Sequence, residues 1–190
     1  ILNSIFDTSL TCVHLPHYFI FPFRLHLSNK MLPFAFLLLV KLMENAHDKL
    51  AKIFCYQEEM NRLSVACPPA DFAVRETVAF RWVFEPIDDE QNFLPQYFKN
   101  PDRFNEKEDK VKCQALGLSL FNSAADAQRQ FSVLQKYLKE DAMSLGTHLA
   151  TGIIQRDFGF ADLPNPKGHF TLHPFENVSL LEHFEIISTL

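Results

Sequence analysis

The residues whose side chains could do chemistry include four histidines of the C-terminal part of the chain: His148, His169, His173 and His183. Histidine is a common metal ligand and a common general base, because its imidazole changes charge near neutral pH. If His169 and His173 share one strand, they lie about 13 Å apart at a rise of roughly 3.3 Å per residue, too far for one ion. The sequence therefore predicts no metal site and favours histidines that are hydrogen-bonded within a half-buried sheet.

The cysteines are the second group of reactive side chains: Cys12, Cys55, Cys67 and Cys113. They form no Cys-X-X-Cys pair, so their spacing favours neither a zinc knuckle nor a dense disulfide framework. We expect reduced thiols in a reducing, cytoplasmic compartment. Nothing beside Cys113 indicates the electropositive surroundings that lower a thiol pKa, so we expect an inert, packed thiol at the start of a buried strand.

Charge and motifs exclude several classes of protein. The formal net charge of −5 gives no broad basic field that would attract phosphate backbones, so nucleic acid is not an expected partner. The common signatures of nucleotide-binding proteins, zinc proteases and hydrolases are absent: GxGxxG, GxxxxGKS/T, HExxH and GxSxG. From motifs alone, no cofactor is expected.

A less common constellation combines arginines, a turn and a helix. Arg81 lies on an early predicted strand, Arg103 lies in the sequence Pro-Asp-Arg-Phe-Asn, and an apolar segment at 115–121 leads into an Ala-rich helix. Over about residues 80–130 this order resembles the RES domain and related ADP-ribosyltransferase-like proteins. In the helix only Asp126 matches the acidic residue of that pattern.

The resemblance implies an enzyme that handles NAD or another nucleotide. Arg81 and Arg103 would hold the phosphates, since arginine binds phosphate in a bidentate geometry, and Ser119 or His148 would lie nearby. NAD is the cofactor that this alternative requires. The segments 113–121, 145–152 and 167–174 are also similar to a set of uncharacterised small bacterial proteins, a similarity that implies no function.

A long connection, residues 85–112, suggests a different function. A connection of this length in a compact domain is either functional or mobile. It contains four aromatic residues among polar and charged ones, of which Phe93, Tyr97 and Phe98 are the candidates for partner binding and Phe104 is the fourth. Exposed aromatic residues between charges suit a protein interface. We therefore expect a protein-binding or regulatory module that meets a protein partner through these residues, with the nucleotide-handling enzyme as the alternative.

The elements that would position these residues follow from periodicity. Apolar positions at helical spacing predict helices over 44–64 and 124–139, and Ser123 with Asp126 predicts an N-terminal cap for the second. Alternation and short apolar runs predict strands at 76–84, 115–121, 147–155, 168–173 and 184–189. We expect 147–155 and 168–173 to form an antiparallel hairpin joined by a loop. The fold class is α+β: a sheet of about five strands, antiparallel or mixed, with two main helices on one face.

The first 42 residues differ in character from the rest. Their longest apolar run, Met31–Val40, is ten residues, whereas a helix needs about 20 to cross a bilayer. The segment also lacks the small residues of a secretory cleavage site. We expect residues 43–190 to form a single domain, and residues 1–42 to be an apolar packing arm or upstream sequence that is not native. A membrane partner is expected only if residues 1–42 are native and exposed.

Overall fold

The computed structural model describes residues 53–138 and 145–190. The predictions about residues 1–42, about Cys12 and about the first part of the helix predicted over 44–64 lie outside the described residues. Except for Ile53, the described residues belong to one compact unit.

The described residues form one antiparallel sheet of six strands with four α-helices, which confirms the α+β class. The strands are β1 Thr77–Val83, β2 Leu118–Phe121, β3 His148–Ile154, β4 Gly159–Ala161, β5 His169–Pro174 and β6 Phe184–Thr189. Their order across the sheet is β4-β5-β2-β1-β3-β6, and all neighbouring strands are antiparallel. The helices are α1 Gln57–Asn61, α2 Gln96–Lys99, α3 Asp109–Leu116 and α4 Ala124–Leu138.

The central strand β1 has the alternation that the sequence predicts. Ala79, Arg81 and Val83 are buried on one face, while Phe80 and Trp82 point to the other. Helix α4 covers the Trp82 face, where Trp82 Nε1 donates a 3.1 Å hydrogen bond to Ala127 O. Both faces of β1 are therefore covered, which places Arg81 in the interior.

Helix α4 begins as predicted. The Asp126 amide donates to Ser123 Oγ at 3.1 Å, and the Ser123 hydroxyl donates to Asp126 Oδ2 at 2.7 Å. The first of these bonds satisfies an amide donor that the first turn of a helix leaves unpaired, and the second holds the two side chains together. Ala127 and Phe131 are the buried residues of the helix, as its apolar stripe indicates.

The predicted hairpin of 147–155 with 168–173 is wrong. Strand β3 pairs with β1 and β6, whereas β5 pairs with β2 and β4. The loop predicted between them contains β4, which forms the edge of the sheet beside β5. Strand pairing depends on contacts between distant parts of the chain, and local periodicity does not report them.

Two predicted boundaries also change, and a predicted connection proves to contain helices. Of the helix predicted over 44–64, only Gln57–Asn61 is helical among the described residues. The strand predicted at 115–121 begins at Leu118, because Ala115 and Leu116 end α3. The long connection at 85–112 is structured, since it contains α2, a 3-10 helix at Pro101–Phe104 and the first half of α3.

The apolar interior has two clusters that bear on function. The main core includes strand residues and the C-terminal segment: Ala79, Val83, Leu118, Leu120, Ala150, Ile154, Phe170, Leu172, Leu180 and Phe184. A second cluster, here the Tyr56 cluster, has buried Tyr56, Met60 and Leu116 at its centre, with partly buried Phe54, Cys55, Leu63, Cys67, Tyr97 and Phe98 around them. The second cluster joins α1 and α3 to the aromatic loop, defined here as residues 93–104.

Candidate functional site

Cys67 and Cys113 form a disulfide, so the expectation of reduced thiols is wrong for this pair. Their Cα atoms lie 5.7 Å apart, and 46 positions of sequence separate them. Cys113 is buried on α3 rather than at the start of a strand. Cys55 is also disulfide-bonded. The Cys67–Cys113 bond ties the segment after α1 to the helix that follows the aromatic loop.

A polar contact joins the same segment to α3, one helical turn before the disulfide. The Ser64 amide and hydroxyl donate to Asp109 Oδ2 at 2.8 Å and 2.6 Å. These two bonds hold the pKa of the Asp109 carboxyl below its ordinary value, because they stabilise the charged form. The segment 64–67 is thus fastened to α3 at two points.

His173 lies on β5, and its side chain is fully buried. Neither Nδ1 nor Nε2 has a hydrogen-bond partner. The ring packs against Phe72, with 5.4 Å between the ring centroids. Burial lowers the pKa of His173 to about 4, so the imidazole is neutral at physiological pH. A buried polar group without a partner is uncommon in a native protein and calls for a physical explanation.

The disulfide and His173 lie side by side. The sulfur atoms of Cys67 and Cys113 and a ring nitrogen of His173 all lie within 4.8 Å of one another. The close approach of β5 to the end of α3 depends on Gly117, since a Cβ there would lie 2.3 Å from Thr171 Cγ2 and 3.2 Å from His173 Cε1. The structure therefore gathers two sulfurs and one imidazole from three distant parts of the chain.

Arg81 is buried, with 5% of its surface exposed. Its Nε donates to Asn92 O at 2.5 Å, its Nη1 to Ser119 O at 2.7 Å and its Nη2 to Leu94 O at 3.4 Å. Burial lowers its pKa to about 10, so it stays charged at neutral pH. No carboxylate of the described residues forms an ion pair with Arg81, so its charge is balanced only by these carbonyl dipoles.

Asn92 is a structural residue that the sequence analysis missed. It is fully buried, and its Oδ1 accepts the Phe84 amide at 2.6 Å. Its Nδ2 donates to three carbonyl oxygens, those of Phe84, Pro86 and Ile87. Because Asn92 O also accepts from Arg81, the two side chains together fix the entry to the aromatic loop. An asparagine in a polar loop gives no sequence signal of this burial.

The other predicted ligand residues are dispersed. Arg103 is exposed, with its Cζ 5.7 Å from the Phe104 ring centroid, and Ser119 contributes its backbone oxygen to Arg81. His148 is half-buried, with Nε2 3.4 Å from Glu85 Oε2. No hydrogen bond or ion pair between described residues links Arg103 or His148 to Arg81. A surface concavity of about 310 Å³ beside the start of β1 includes none of these residues in its lining.

The aromatic residues predicted to bind a partner are half-buried. The rings of Phe93 and Phe184 have centroids 5.4 Å apart, and those of Tyr56 and Phe98 are 4.6 Å apart. Tyr97 packs against Phe98 at 5.4 Å. Part of each ring therefore faces the protein, and their contact with a partner stays a prediction.

Comparisons with protein-family models, with curated proteins and with solved structures found no match for this chain. Across residues 53–138 and 145–190, no helix is long and apolar enough to cross a membrane. The assignment of function therefore depends on the geometry of the residues above.

Proposed function

We propose that this chain is a cytoplasmic, protein-binding regulatory module whose aromatic loop is controlled by reduction of the Cys67–Cys113 disulfide. One observation carries the proposal: Cys67 packs in the same cluster as Tyr97 and Phe98. The covalent bond and the predicted binding residues thus share one set of contacts. Disulfides in the cytoplasm are usually transient and redox-sensing, which agrees with a regulatory role.

The disulfide constrains the aromatic loop from its C-terminal side. Cys113 lies on α3, which begins at Asp109, five residues after the aromatic loop ends. Leu116 of the same helix lies at the centre of the Tyr56 cluster, on which Tyr97 and Phe98 pack. Reduction removes the covalent link between α3 and the segment that contains Cys67 and leaves the Ser64–Asp109 contact, so the packing of the two rings is expected to loosen.

The size of the effect is set by the length of chain that the bond closes. For a separation of 46 residues, the chain-entropy account gives a stabilisation of about 4 kcal/mol. The free energy of unfolding of a typical domain is roughly 5–15 kcal/mol, so the disulfide supplies a large share of it. A small dithiol that reduces the bond loses two electrons and two protons and becomes a cyclic disulfide. Cys67 and Cys113 each gain one electron and one proton and become thiols.

Amide hydrogen exchange of the aromatic loop tests the proposal. Peptides that cover residues 93–104 should exchange faster after treatment with a dithiol than in the oxidised protein. The double variant C67S/C113S should exchange fast without the dithiol and should not respond to it in this segment. That variant separates the effect from any change at the disulfide of Cys55. Equal protection of residues 93–104 in the oxidised and reduced proteins would contradict the proposal.

Partner binding gives a second test. The reduced protein should bind its partner more tightly than the oxidised protein does, and Tyr97→Ala with Phe98→Ala should abolish binding in both states. Ser132→Ala is a matched control, because Ser132 is exposed on α4 and away from the loop. Tighter binding by the oxidised protein would reverse the proposed direction of control.

The enzyme that handles NAD stays a prediction of the family resemblance. The guanidinium of Arg81 donates hydrogen bonds to three carbonyl oxygens inside the protein, so these contacts already occupy the group that would bind a phosphate. Calorimetric titration with NAD, using wild type and Arg103→Ala, tests this alternative. Binding that is lost in Arg103→Ala would favour the enzyme over the regulatory module.

A further inference from the structure

We propose that Cys67, Cys113 and His173 form a binding site for a soft divalent metal ion of the Zn²⁺ class when the disulfide is reduced. The inference depends on the reducible disulfide of the proposed function and adds a ligand to its reduced state. The oxidised protein would hold no metal, because both sulfurs are then bonded to each other.

The donor set is suited to such an ion. Zn²⁺ binds cysteine sulfur and histidine nitrogen in a tetrahedral arrangement, and two cysteines with histidine are common among its sites. Bonds of about 2.3 Å to sulfur place two thiolates of a tetrahedron about 3.8 Å apart. The three ligand atoms already lie within 4.8 Å of one another. The sulfurs therefore need to separate from bonding distance by less than about 2 Å, which rotation of the two side chains supplies.

His173 provides an independent observation. Its ring is fully buried, and no group of the described residues accepts or donates a hydrogen bond at either nitrogen. An unpaired buried polar group costs roughly 1–3 kcal/mol, so a purely apolar ring would suit this position better if it only filled space. An imidazole nitrogen that has no hydrogen-bond partner and lies beside two sulfurs is placed to bind a metal ion.

The chemical balance of loading is simple. A small dithiol first reduces the disulfide to two thiols and is itself oxidised to a disulfide. The ion then displaces the two thiol protons, and the bound unit consists of two thiolates, one neutral imidazole and the ion. The three protein ligands leave a fourth position for water, as in zinc sites with three protein ligands.

The site has a structural consequence for the aromatic loop. In the reduced protein the ion would rejoin the Cys67 segment to α3 and would add a bond to β5, through His173. Metal binding would therefore oppose the loosening that reduction causes. A reduced protein without metal would have an open aromatic loop, and the same protein with metal would have a closed one.

Cobalt is the probe that tests the site. The protein is reduced with a dithiol, separated from it without oxygen, and titrated with Co²⁺. We expect one ion per chain, thiolate-to-cobalt charge-transfer absorption, the visible bands of a tetrahedral site, and displacement by Zn²⁺. The oxidised protein should give none of these signals.

Single-residue variants identify the ligands. His173→Phe keeps a buried ring and the ability to form the disulfide but removes one ligand, so it should weaken cobalt binding by about tenfold or more. His169→Phe is the matched control, since His169 lies on the same strand and packs on Phe121. It should bind cobalt as wild type does. Circular dichroism of the oxidised variants shows whether each is folded, and Cys113→Ser provides a second ligand variant if His173→Phe is not.

Three results would overturn the inference: reduced wild type that binds no Co²⁺, His173→Phe with the affinity and spectrum of wild type, or a Cys67–Cys113 bond that a dithiol does not open. Mass analysis of alkylated peptides reports whether that bond has opened. Hydrogen exchange of residues 93–104 with a chelator present tests the proposed function separately. A loop that opens on reduction in a protein that binds no cobalt would therefore reject the metal site alone.

Discussion

Ser64 donates two hydrogen bonds to Asp109 Oδ2, at 2.8 Å from its amide and 2.6 Å from its hydroxyl. Three residues further along that segment, Cys67 is bonded to Cys113, which lies four residues after Asp109 on α3. Both contacts lie on one side of α3, since residues four apart on a helix share a face. The polar contact does not depend on the bond between the sulfurs, so we expect it to limit how far the segment moves when the disulfide is reduced.

The first prediction concerns the contact between Ser64 and Asp109. Ser64→Ala removes the hydroxyl donor, so the pKa of the Asp109 carboxyl should rise toward its ordinary value. The contact stabilises the fold above the pKa of an unfolded aspartate, and this stabilisation is lost as the pH falls through the lower pKa of the folded state. Carbon-detected NMR titration of Asp109 measures the shift. Ser132→Ala is the control, and an unchanged Asp109 pKa in Ser64→Ala would contradict the prediction.

Arg81 makes the second prediction. Arg81→Met removes the donors of three carbonyl oxygens and should lower the free energy of unfolding by about 3 kcal/mol. Arg81→Lys should restore little, because a lysine cannot reach three carbonyls in the fork geometry of a guanidinium. Urea unfolding measures both. Arg103→Ala, at an exposed position, should change the stability by less than about 0.5 kcal/mol. If Arg81→Met were as stable as wild type, Arg81 would be free for a role in ligand binding.

Asn92 makes the third prediction. Asn92→Ala leaves the Phe84 amide and several carbonyls in the interior without partners, so it should cost about 3 kcal/mol of unfolding free energy. Hydrogen exchange of residues 85–100 should rise in the same variant, because Asn92 fixes the entry to the aromatic loop. Asn105→Ala is the control, since Asn105 is exposed. A fully stable Asn92→Ala would show that water replaces the side chain.

His173 makes the fourth prediction, which concerns the oxidised protein. Its pKa is about 4 in the folded state, below the value of about 6.5 for an unfolded histidine. Between these values the unfolded chain binds more protons, so the free energy of unfolding should rise with pH from 4 to 6.5, by about 3 kcal/mol at most. Above pH 6.5 this contribution is complete.

The matched variant for this pH dependence is His173→Phe. Urea unfolding at several pH values should show a flatter curve between pH 4 and 6.5 for the variant than for wild type. His169→Phe should keep most of the wild-type slope, because His169 is half-buried. Parallel curves for wild type and His173→Phe would mean that the imidazole is protonated as readily in the fold as in water.

The sequence determined the features that depend on local periodicity and local capping. The alternation of 76–84 predicted the two faces of β1, the bounds of β6 agree with the prediction, and the Ser123–Asp126 cap begins α4. These features follow from side chains that are close in sequence, so a single pattern contains the information. The α+β class follows from the same patterns.

The tertiary structure alone decided which distant residues meet. Cys67, Cys113 and His173 come from a loop, a helix and a strand, and no spacing rule connects them. The pairing of β3 with β6 and of β5 with β4 brought the strands into an order that the hairpin prediction missed. The sequence also did not predict the burial of Arg81. The alternation of side chains along a strand is the same whether the face that carries the arginine is covered or exposed to solvent. Such contacts join residues that are far apart in the sequence. They depend on how the whole chain folds, and local sequence patterns do not contain that information.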